Sequence, residues 1–170
     1  MNRTKALLIT IILACLGLLG FALYLQLVLD MLPCPLCVMQ RYAFALIAIA
    51  CLLVLIMPKM KRAAMSASLL FSLLFSIVGG GIAGYQVWAM AQPMGSCGAD
   101  PLSDPMNSFF IAKLFPVMFQ ANGLCETPYD PILGLSIPAW ACVWFVVFAV
   151  ASVYLLLNKP KEHRIFANKL

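Results

Sequence analysis

The sequence predicts an all-α integral membrane protein, a four-transmembrane-helix bundle with a short interfacial helix in its second outer loop. Of the 170 residues, 64% are hydrophobic and only 10% are charged, and the mean hydropathy is +1.01. A soluble domain carries about 25% charged residues, so the composition excludes that class. The chain is expected to form a single membrane domain, with helices at approximately 6–29, 38–57, 63–91 and 138–157.

The first two apolar segments differ in how easily they cross a membrane. Residues 6–29 span about 36 Å, enough for a hydrocarbon core of about 30 Å. This run is too long for the h-region of a signal peptide and no small-residue cleavage site follows it, so we expect a retained helix. The uncharged run Tyr42–Met57 covers only about 24 Å, so its helix must begin earlier, near Cys37 or Val38.

The third segment is unusual for its glycines, which are Gly79, Gly80, Gly81 and Gly84. Glycines in membrane helices usually let a neighbouring helix pack closely, and less often they allow a kink. A cofactor lying against the smooth surface is a third interpretation, and the pattern alone leaves all three open.

The positive charges predict the orientation of the chain. Nine of the eleven Lys and Arg residues lie in the N-terminus, the 58–62 connection and the C-terminal tail. The positive-inside rule makes these three regions cytoplasmic, so residues 30–37 and 93–137 face outwards. The net charge of +5 therefore reflects membrane topology, and the sequence has no basic face for a nucleic acid.

The seven cysteines divide between the membrane and the outer loops. Three lie within apolar segments and are expected to be small buried hydrophobes: Cys15, Cys51 and Cys142. The other four lie on the outer side, where disulfides persist, and they allow three pairings. Their spacing favours Cys34–Cys37 with Cys97–Cys125 as the resting arrangement.

Residues 93–137 form an outer loop that is too long for a simple connector. Glycines on both sides of Cys97 predict an exposed, flexible tip that an incoming thiolate can reach. Asn107 or Ser108 is expected to cap a helix over Phe109–Gln120. The single charge and the proline of this stretch favour an interfacial helix over a transmembrane span. Such a helix would hold Cys97 and Cys125 at membrane height.

The run Cys34-Pro35-Leu36-Cys37 is the most informative motif, because two sulfurs at this spacing perform dithiol and disulfide chemistry. A relay needs an exposed sulfur to be attacked, and Cys97 suits that role. Cys37 suits the role of thiolate. It lies near a helix start and shares a helix face with Arg41, and helix N–H groups and a guanidinium both stabilise a thiolate.

Each of these residues has a less specific interpretation. Arg41 is equally typical of an interfacial arginine that reaches lipid headgroups. The CxxC pair also fits half of a zinc site with Cys97 and Cys125, or an inert surface bridge. Zinc is disfavoured because the second pair is 28 residues apart and the outer loops contain no histidine.

Two glutamines lie inside or near membrane helices. For Gln26 and Gln86 we expect interhelical hydrogen bonds, with a contact to a polar headgroup as the alternative. His163 lies in the basic tail and is expected to be solvated.

Three features match one family: the CxxC run followed by Arg41, the Cys97/Cys125 pair, and the stretch Leu133-Gly134-Leu135-Ser136-Ile137-Pro138-Ala139-Trp140. Together they resemble the bacterial DsbB disulfide bond formation proteins over essentially the whole chain. The resemblance implies a thiol:quinone oxidoreductase of the bacterial cell inner membrane, surrounded by membrane lipid, with both termini cytoplasmic and both outer loops periplasmic.

The resemblance also implies a mechanism. A periplasmic DsbA-like protein with a thioredoxin fold would attack Cys97, forming a mixed disulfide. Electrons would pass from the Cys97/Cys125 pair to Cys34/Cys37, by way of a transient Cys34–Cys125 bridge. Cys37 would then reduce a bound quinone, ubiquinone or menaquinone, and Arg41 would stabilise the complex.

The implied quinone-binding set is Cys37, Arg41 and Gln86. The family often carries a basic or histidine-containing stretch near the outer end of the third helix, whereas Gly84–Trp88 is uncharged here. Gln86 is the remaining candidate in that stretch. The resemblance implies no metal and no nucleic acid partner.

Two other functions remain as alternatives. An enzyme of the vitamin K epoxide reductase type also joins a membrane CxxC to a quinone, but its quinone-facing pair usually lies later in the chain. A non-enzymatic membrane scaffold with structural disulfides would keep Cys34 and Cys37 permanently oxidised. Such a scaffold would form no mixed disulfide at Cys97.

Overall fold

The computed structural model describes residues 3–56, 62–92, 102–123 and 131–158. Its helices in these ranges are α1 (Arg3–Val28), α2 (Pro35–Ile56), α3 (Arg62–Met90), α4 (Ser103–Ser108), α5 (Phe110–Leu114), α6 (Pro116–Phe119) and α7 (Ile137–Leu157). Within the described ranges, α1, α2, α3 and α7 are long and apolar enough to cross a membrane. This confirms the predicted four-helix membrane bundle.

Helix α2 begins at Pro35, three residues before the predicted start at 38. A proline is well tolerated in the first helical turn, because its missing N–H would have no partner there. The first turn closes when the Val38 N–H donates to the Cys34 carbonyl at 3.0 Å. Cys34 therefore lies directly before the helix, and Cys37 lies in its first turn.

The core forms where α3 packs between α2 and α7, while α1 packs against α2. Phe44 of α2 stacks on Phe145 of α7, with ring centroids 4.2 Å apart and an interplanar angle of 5°. Cys15 and Cys51 are fully buried in this core, as the sequence predicts. Cys142 is half-buried, and its Sγ lies 3.8 Å from the Gly80 carbonyl oxygen.

The glycines of α3 serve helix packing at two positions. A Cβ built on Gly79 would overlap the Phe145 ring, and one on Gly80 would lie 3.4 Å from the Phe145 Cβ. A Cβ on Gly81 or Gly84 would meet nothing within 4 Å. Close packing against α7 is therefore the correct interpretation for Gly79 and Gly80.

We expect Gly79→Ala to lower the stability of the folded protein by about 1–3 kcal/mol, because the added methyl overpacks the contact with Phe145. Gly81→Ala is the matched control, since its methyl enters open space and gains helix propensity. Thermal unfolding of both variants in the same detergent measures the difference. Equal melting temperatures for the two variants would contradict the packing argument.

The predicted helix over 109–120 is wrong as a single element, because the structure divides this part of the chain among α4, α5 and α6. Phe109 is extended between α4 and α5, with φ −60° and ψ 141°. The helix is interrupted at Phe115, because the following Pro116 disfavours helical geometry in the residue that precedes it. The predicted side-chain cap is also wrong, since α5 has no capping hydrogen bond from a side chain.

The exposed surface of the segment from α4 to α6 carries large aromatic side chains. Phe109, Phe110 and Phe115 expose 63%, 76% and 57% of their surface. Exposed aromatic side chains of this kind are typical of a segment that lies on a lipid interface. The short helices therefore provide the apolar surface that an interfacial location requires.

Candidate functional site

The two cysteines of the CxxC motif lie at the mouth of α2. Their Sγ atoms are 2.9 Å apart and in hydrogen-bond contact. The resting disulfide predicted from the spacing stays a prediction. The Cys37 backbone N–H donates to Cys34 Sγ at 3.4 Å. Cys34 thus receives the helix N–H that the sequence analysis assigned to Cys37. The pair is close enough to form a disulfide with a small movement, since a disulfide bond is about 2.05 Å long.

Gln86 of α3 contacts both sulfurs. Its Nε2 donates to Cys34 Sγ at 3.4 Å and to Cys37 Sγ at 3.3 Å. Its Oε1 accepts a hydrogen bond of 2.8 Å from Gln40 Nε2 of α2. The predicted interhelical hydrogen bond of Gln86 is therefore confirmed.

Gln40 is a site residue that the sequence analysis missed. It is 5% exposed and lies in α2, three residues after Cys37. A polar side chain inside an otherwise apolar membrane helix, one turn from the motif, is a signal that marks a functional position.

Arg41 is buried within the protein, with only 7% of its surface exposed. Its Nη1 donates to Gln26 Oε1 at 2.8 Å and to the Met118 carbonyl at 3.0 Å, and its Nη2 donates to the Ala22 carbonyl at 3.3 Å. Gln26 Nε2 in turn donates to the Val117 carbonyl at 2.9 Å. An arginine that reaches lipid headgroups is therefore the wrong interpretation, whereas the predicted interhelical bond of Gln26 is confirmed.

A cavity of about 260 Å³ opens beside these side chains. It lies between α1, the start of α2, the C-terminal end of α3 and the start of α7. Most of its wall is apolar and includes Phe21, Phe44, Trp140 and Trp144. The polar groups that reach it include Cys34, Cys37, Gln40, Arg41 and Gln86. An apolar site with a few convergent polar groups is typical of a pocket for a small, largely apolar ligand.

The second half of the stretch Leu133–Trp140 contributes to the wall of this cavity through Ser136, Ile137, Pro138 and Trp140. Leu133 and Gly134 have φ values of 53° and 83°, so the chain turns tightly between Ile132 and Leu135, whose backbones pair with each other. Trp140 Nε1 then donates to the Ile132 carbonyl at 2.8 Å. This bond holds the indole and Ile132 together, and both line the cavity.

The segment that follows α6 packs against the connection between α1 and α2. The backbone N–H groups of Asn122 and Gly123 both donate to the Pro33 carbonyl, at 3.1 Å and 3.0 Å. A Cβ built on Gly123 would overlap the Leu32 carbonyl, so this close approach requires a glycine. We call this contact the loop seat.

Asn107 supports the loop seat from α4. Its Nδ2 donates to the Ala121 carbonyl at 3.0 Å, and its Oδ1 accepts from the Ala121 N–H at 2.8 Å. These two bonds replace the helix cap that the sequence analysis predicted for Asn107. They hold the chain in place two residues before Gly123.

Cys97 and Cys125 lie outside the described residues, so their predicted roles and pairing stay predictions. The zinc alternative depends on the same two cysteines. In the part of the chain that the structure describes, no cluster of three or more His, Cys, Asp or Glu side chains is arranged to hold a metal ion.

Comparisons with known proteins agree on one family. The family described as "Disulfide bond formation protein DsbB" matches residues 4–155. The chain is 47% identical over 159 residues to disulfide bond formation protein B of Herminiimonas arsenicoxydans, covering 94% of this chain and 99% of the relative. It is 44% identical over 151 residues to disulfide bond formation protein B 1 of Pseudomonas putida, covering 88% of each chain. The corresponding protein of Cupriavidus metallidurans is 42% identical over 164 residues, covering 96% of this chain and 98% of the relative.

Proposed function

Because this chain belongs to the DsbB family of disulfide bond formation proteins, we propose that it is a thiol:quinone oxidoreductase that reoxidises a periplasmic DsbA-like dithiol protein. The family membership decides against the vitamin K epoxide reductase type. A relay of this kind is already known to keep the bacterial periplasm oxidising. The proposal assigns that role to this chain.

The observation that carries the proposal is the cavity, which places the two sulfurs and a buried guanidinium in one apolar pocket. A quinone head is a flat, mostly apolar ring with two carbonyl oxygens, so it needs an apolar wall and a hydrogen-bond donor. Phe44, Trp140 and Trp144 would supply the wall, and Arg41 the donor. The residues present therefore fit the group, which supplies an acceptor for two electrons and two protons when bound.

The protein's own side chains carry the remaining steps. The dithiol of the DsbA-like partner is oxidised to its disulfide, and the Cys97–Cys125 disulfide is reduced to two thiols. These thiols are reoxidised as they reduce the Cys34–Cys37 disulfide. Cys34 and Cys37 then return to the disulfide by giving up two electrons and two protons into the cavity. Each exchange passes through a mixed disulfide and moves one disulfide bond from one pair to the next. An external electron acceptor is therefore needed only in the last step.

The proposal assigns quinone contacts to Cys37 and Arg41. Gln86 lines the same cavity, and its contact to the quinone stays a prediction. Ubiquinone and menaquinone both present the ring and the two carbonyl oxygens that this pocket would recognise.

We further propose that the protein lies in the bacterial inner membrane with both termini cytoplasmic and the CxxC motif on the periplasmic side. Support comes from α2, since the motif lies at one end of this helix and the basic 58–62 connection follows its other end. Lys59, Lys61 and the basic residues of the C-terminal tail lie outside the described residues.

Quinone reduction by the purified protein tests the proposed function, with a reduced DsbA-like protein as the donor. We expect turnover by the unaltered protein, and only the background rate for Cys34→Ser/Cys37→Ser, because the electrons then have no sulfur pair beside the cavity. Cys142→Ser is the matched control and should keep its turnover, since Cys142 packs against Gly80 in α3.

Two results would contradict the proposed function. Equal turnover by the unaltered protein and the double variant would remove Cys34 and Cys37 from the reaction. A folded, oxidised protein that is inactive with ubiquinone and with menaquinone would overturn the activity for this donor.

A further inference from the structure

Two neutral amide side chains are buried together at the CxxC motif. Gln40 and Gln86 are 5% and 3% exposed, and they come from different helices, α2 and α3. A buried amide is costly unless its polar atoms are hydrogen-bonded. The partners of this pair therefore restrict how each amide is oriented.

The amide of Gln86 has two different ends. Its oxygen accepts the bond from Gln40 Nε2 at 2.8 Å and a longer contact from the Cys37 thiol at 3.9 Å. Its NH2 group lies closer to the sulfurs, 3.4 Å from Cys34 Sγ and 3.3 Å from Cys37 Sγ. An amide nitrogen carries two N–H donors, so one group serves both sulfurs. A reversed amide would bring oxygen lone pairs towards the sulfurs instead, which disfavours a negative charge there.

We propose that Gln40 is a positioning residue for the redox pair. By occupying the Gln86 oxygen, it fixes the Gln86 NH2 group towards Cys34 and Cys37. The two N–H donors stabilise the reduced pair, because a thiolate accepts hydrogen bonds more strongly than a disulfide sulfur does.

The orientation of the Gln86 amide affects the reduction potential of the Cys34–Cys37 disulfide. Its reduction takes up two electrons and two protons and yields two thiols, one of which releases its proton to become the thiolate that the Gln86 NH2 group stabilises. Any group that favours the reduced form in this way makes the disulfide a stronger oxidant. This inference rests on the proposed function, in which the pair must draw electrons from the Cys97/Cys125 pair. Gln40 thereby contributes to the direction of electron flow.

The test is a set of reduction potentials measured without quinone, in a Cys97→Ser/Cys125→Ser background, by equilibration with a thiol–disulfide buffer. Methionine keeps the length of glutamine and removes its amide. We expect Gln86→Met to lower the equilibrium constant for reduction about tenfold, which is about 30 mV for a two-electron couple.

Gln40→Met should lower the same constant by a smaller factor, because the Gln86 amide is then free to turn. In the double variant Gln40→Met/Gln86→Met, we expect the value of Gln86→Met alone, since Gln40 acts only through Gln86. Ser72→Ala is the matched control. It removes a buried hydrogen bond of α3, to Ser152, and should leave the potential unchanged.

Three results would overturn the proposal: an unchanged potential in Gln86→Met, an unchanged potential in Gln40→Met, or additive effects in the double variant. Gln40→Leu repeats the test if Gln40→Met does not fold. Because the measurement uses neither quinone nor a protein donor, its failure is distinct from a failure of the quinone-reductase assay.

Discussion

Arg41→Met is expected to lower quinone reduction by at least about 100-fold, the usual loss when a preorganised charge-stabilising donor is removed from an active site. The cavity contains one guanidinium, within the part of the chain that the structure describes, and it is held in place by three hydrogen bonds. Methionine leaves the acceptors on Gln26, Met118 and Ala22 without that partner. Each such loss costs about 1–3 kcal/mol, so some stability should be lost as well.

Two measurements separate these effects. Single-turnover exchange with the reduced protein donor, without quinone, should fall much less than quinone reduction does, because Arg41 enters that step only by holding the Met118 carbonyl. Steady-state quinone reduction should show the large loss. Arg41→Lys is the matched variant: it keeps the charge, but an ammonium lacks the planar fork that joins three acceptors, so we expect intermediate activity. Near-normal quinone reduction by a folded Arg41→Met protein would show that the guanidinium has no role in the pocket.

The four spans and the position of the motif were predictable from the sequence, and the physical reason is the thickness of the membrane. The uncharged run from Tyr42 is too short to cross a bilayer, so α2 had to begin near Cys37. The structure begins the helix at Pro35, which places both sulfurs at its mouth. Burial of Cys15 and Cys51 followed from the same hydrophobic pattern.

The partners of the polar side chains were not predictable. Arg41 donates to the backbone carbonyls of Ala22 and Met118, and every residue carries a carbonyl, so no residue type marks these acceptors in the sequence. Asn107 has the sequence features of a helix cap, yet its amide bonds to Ala121, fourteen residues further along the chain. Local capping patterns and long-range clamps use the same side chains, and only the tertiary structure distinguishes them.

Three contacts join the segment that follows α5 to the α1–α2 region: those of Gln26, those of Arg41 and the loop seat. Arg41 and Gln26 hold the carbonyls of Met118 and Val117, while Pro33 accepts from Asn122 and Gly123. The segment between Val117 and Gly123 is therefore attached at both ends to the elements that carry the CxxC motif. Cys125, which lies outside the described residues, follows Gly123 by two positions. The loop seat itself lies next to the motif, because Pro33 directly precedes Cys34.

Gly123→Ala is expected to slow electron transfer from the protein donor to quinone by at least about tenfold, which corresponds to 1.4 kcal/mol in the activation free energy. The added methyl would overlap the Leu32 carbonyl, so the loop must leave its seat on Pro33. Asn107→Ala removes the supporting clamp without adding bulk, and should give the same change more weakly.

A small dithiol that reduces Cys34–Cys37 directly provides the internal control, because it does not need the second loop. With that donor, Gly123→Ala should reduce quinone at the normal rate. Gly17→Ala, whose methyl would meet nothing within 4 Å, should be normal with both donors. If Gly123→Ala slowed the two donors equally, the damage would lie in the cavity rather than in the delivery of electrons. Normal rates with both donors would show that electrons pass from the Cys97/Cys125 pair to Cys34 without the loop seat.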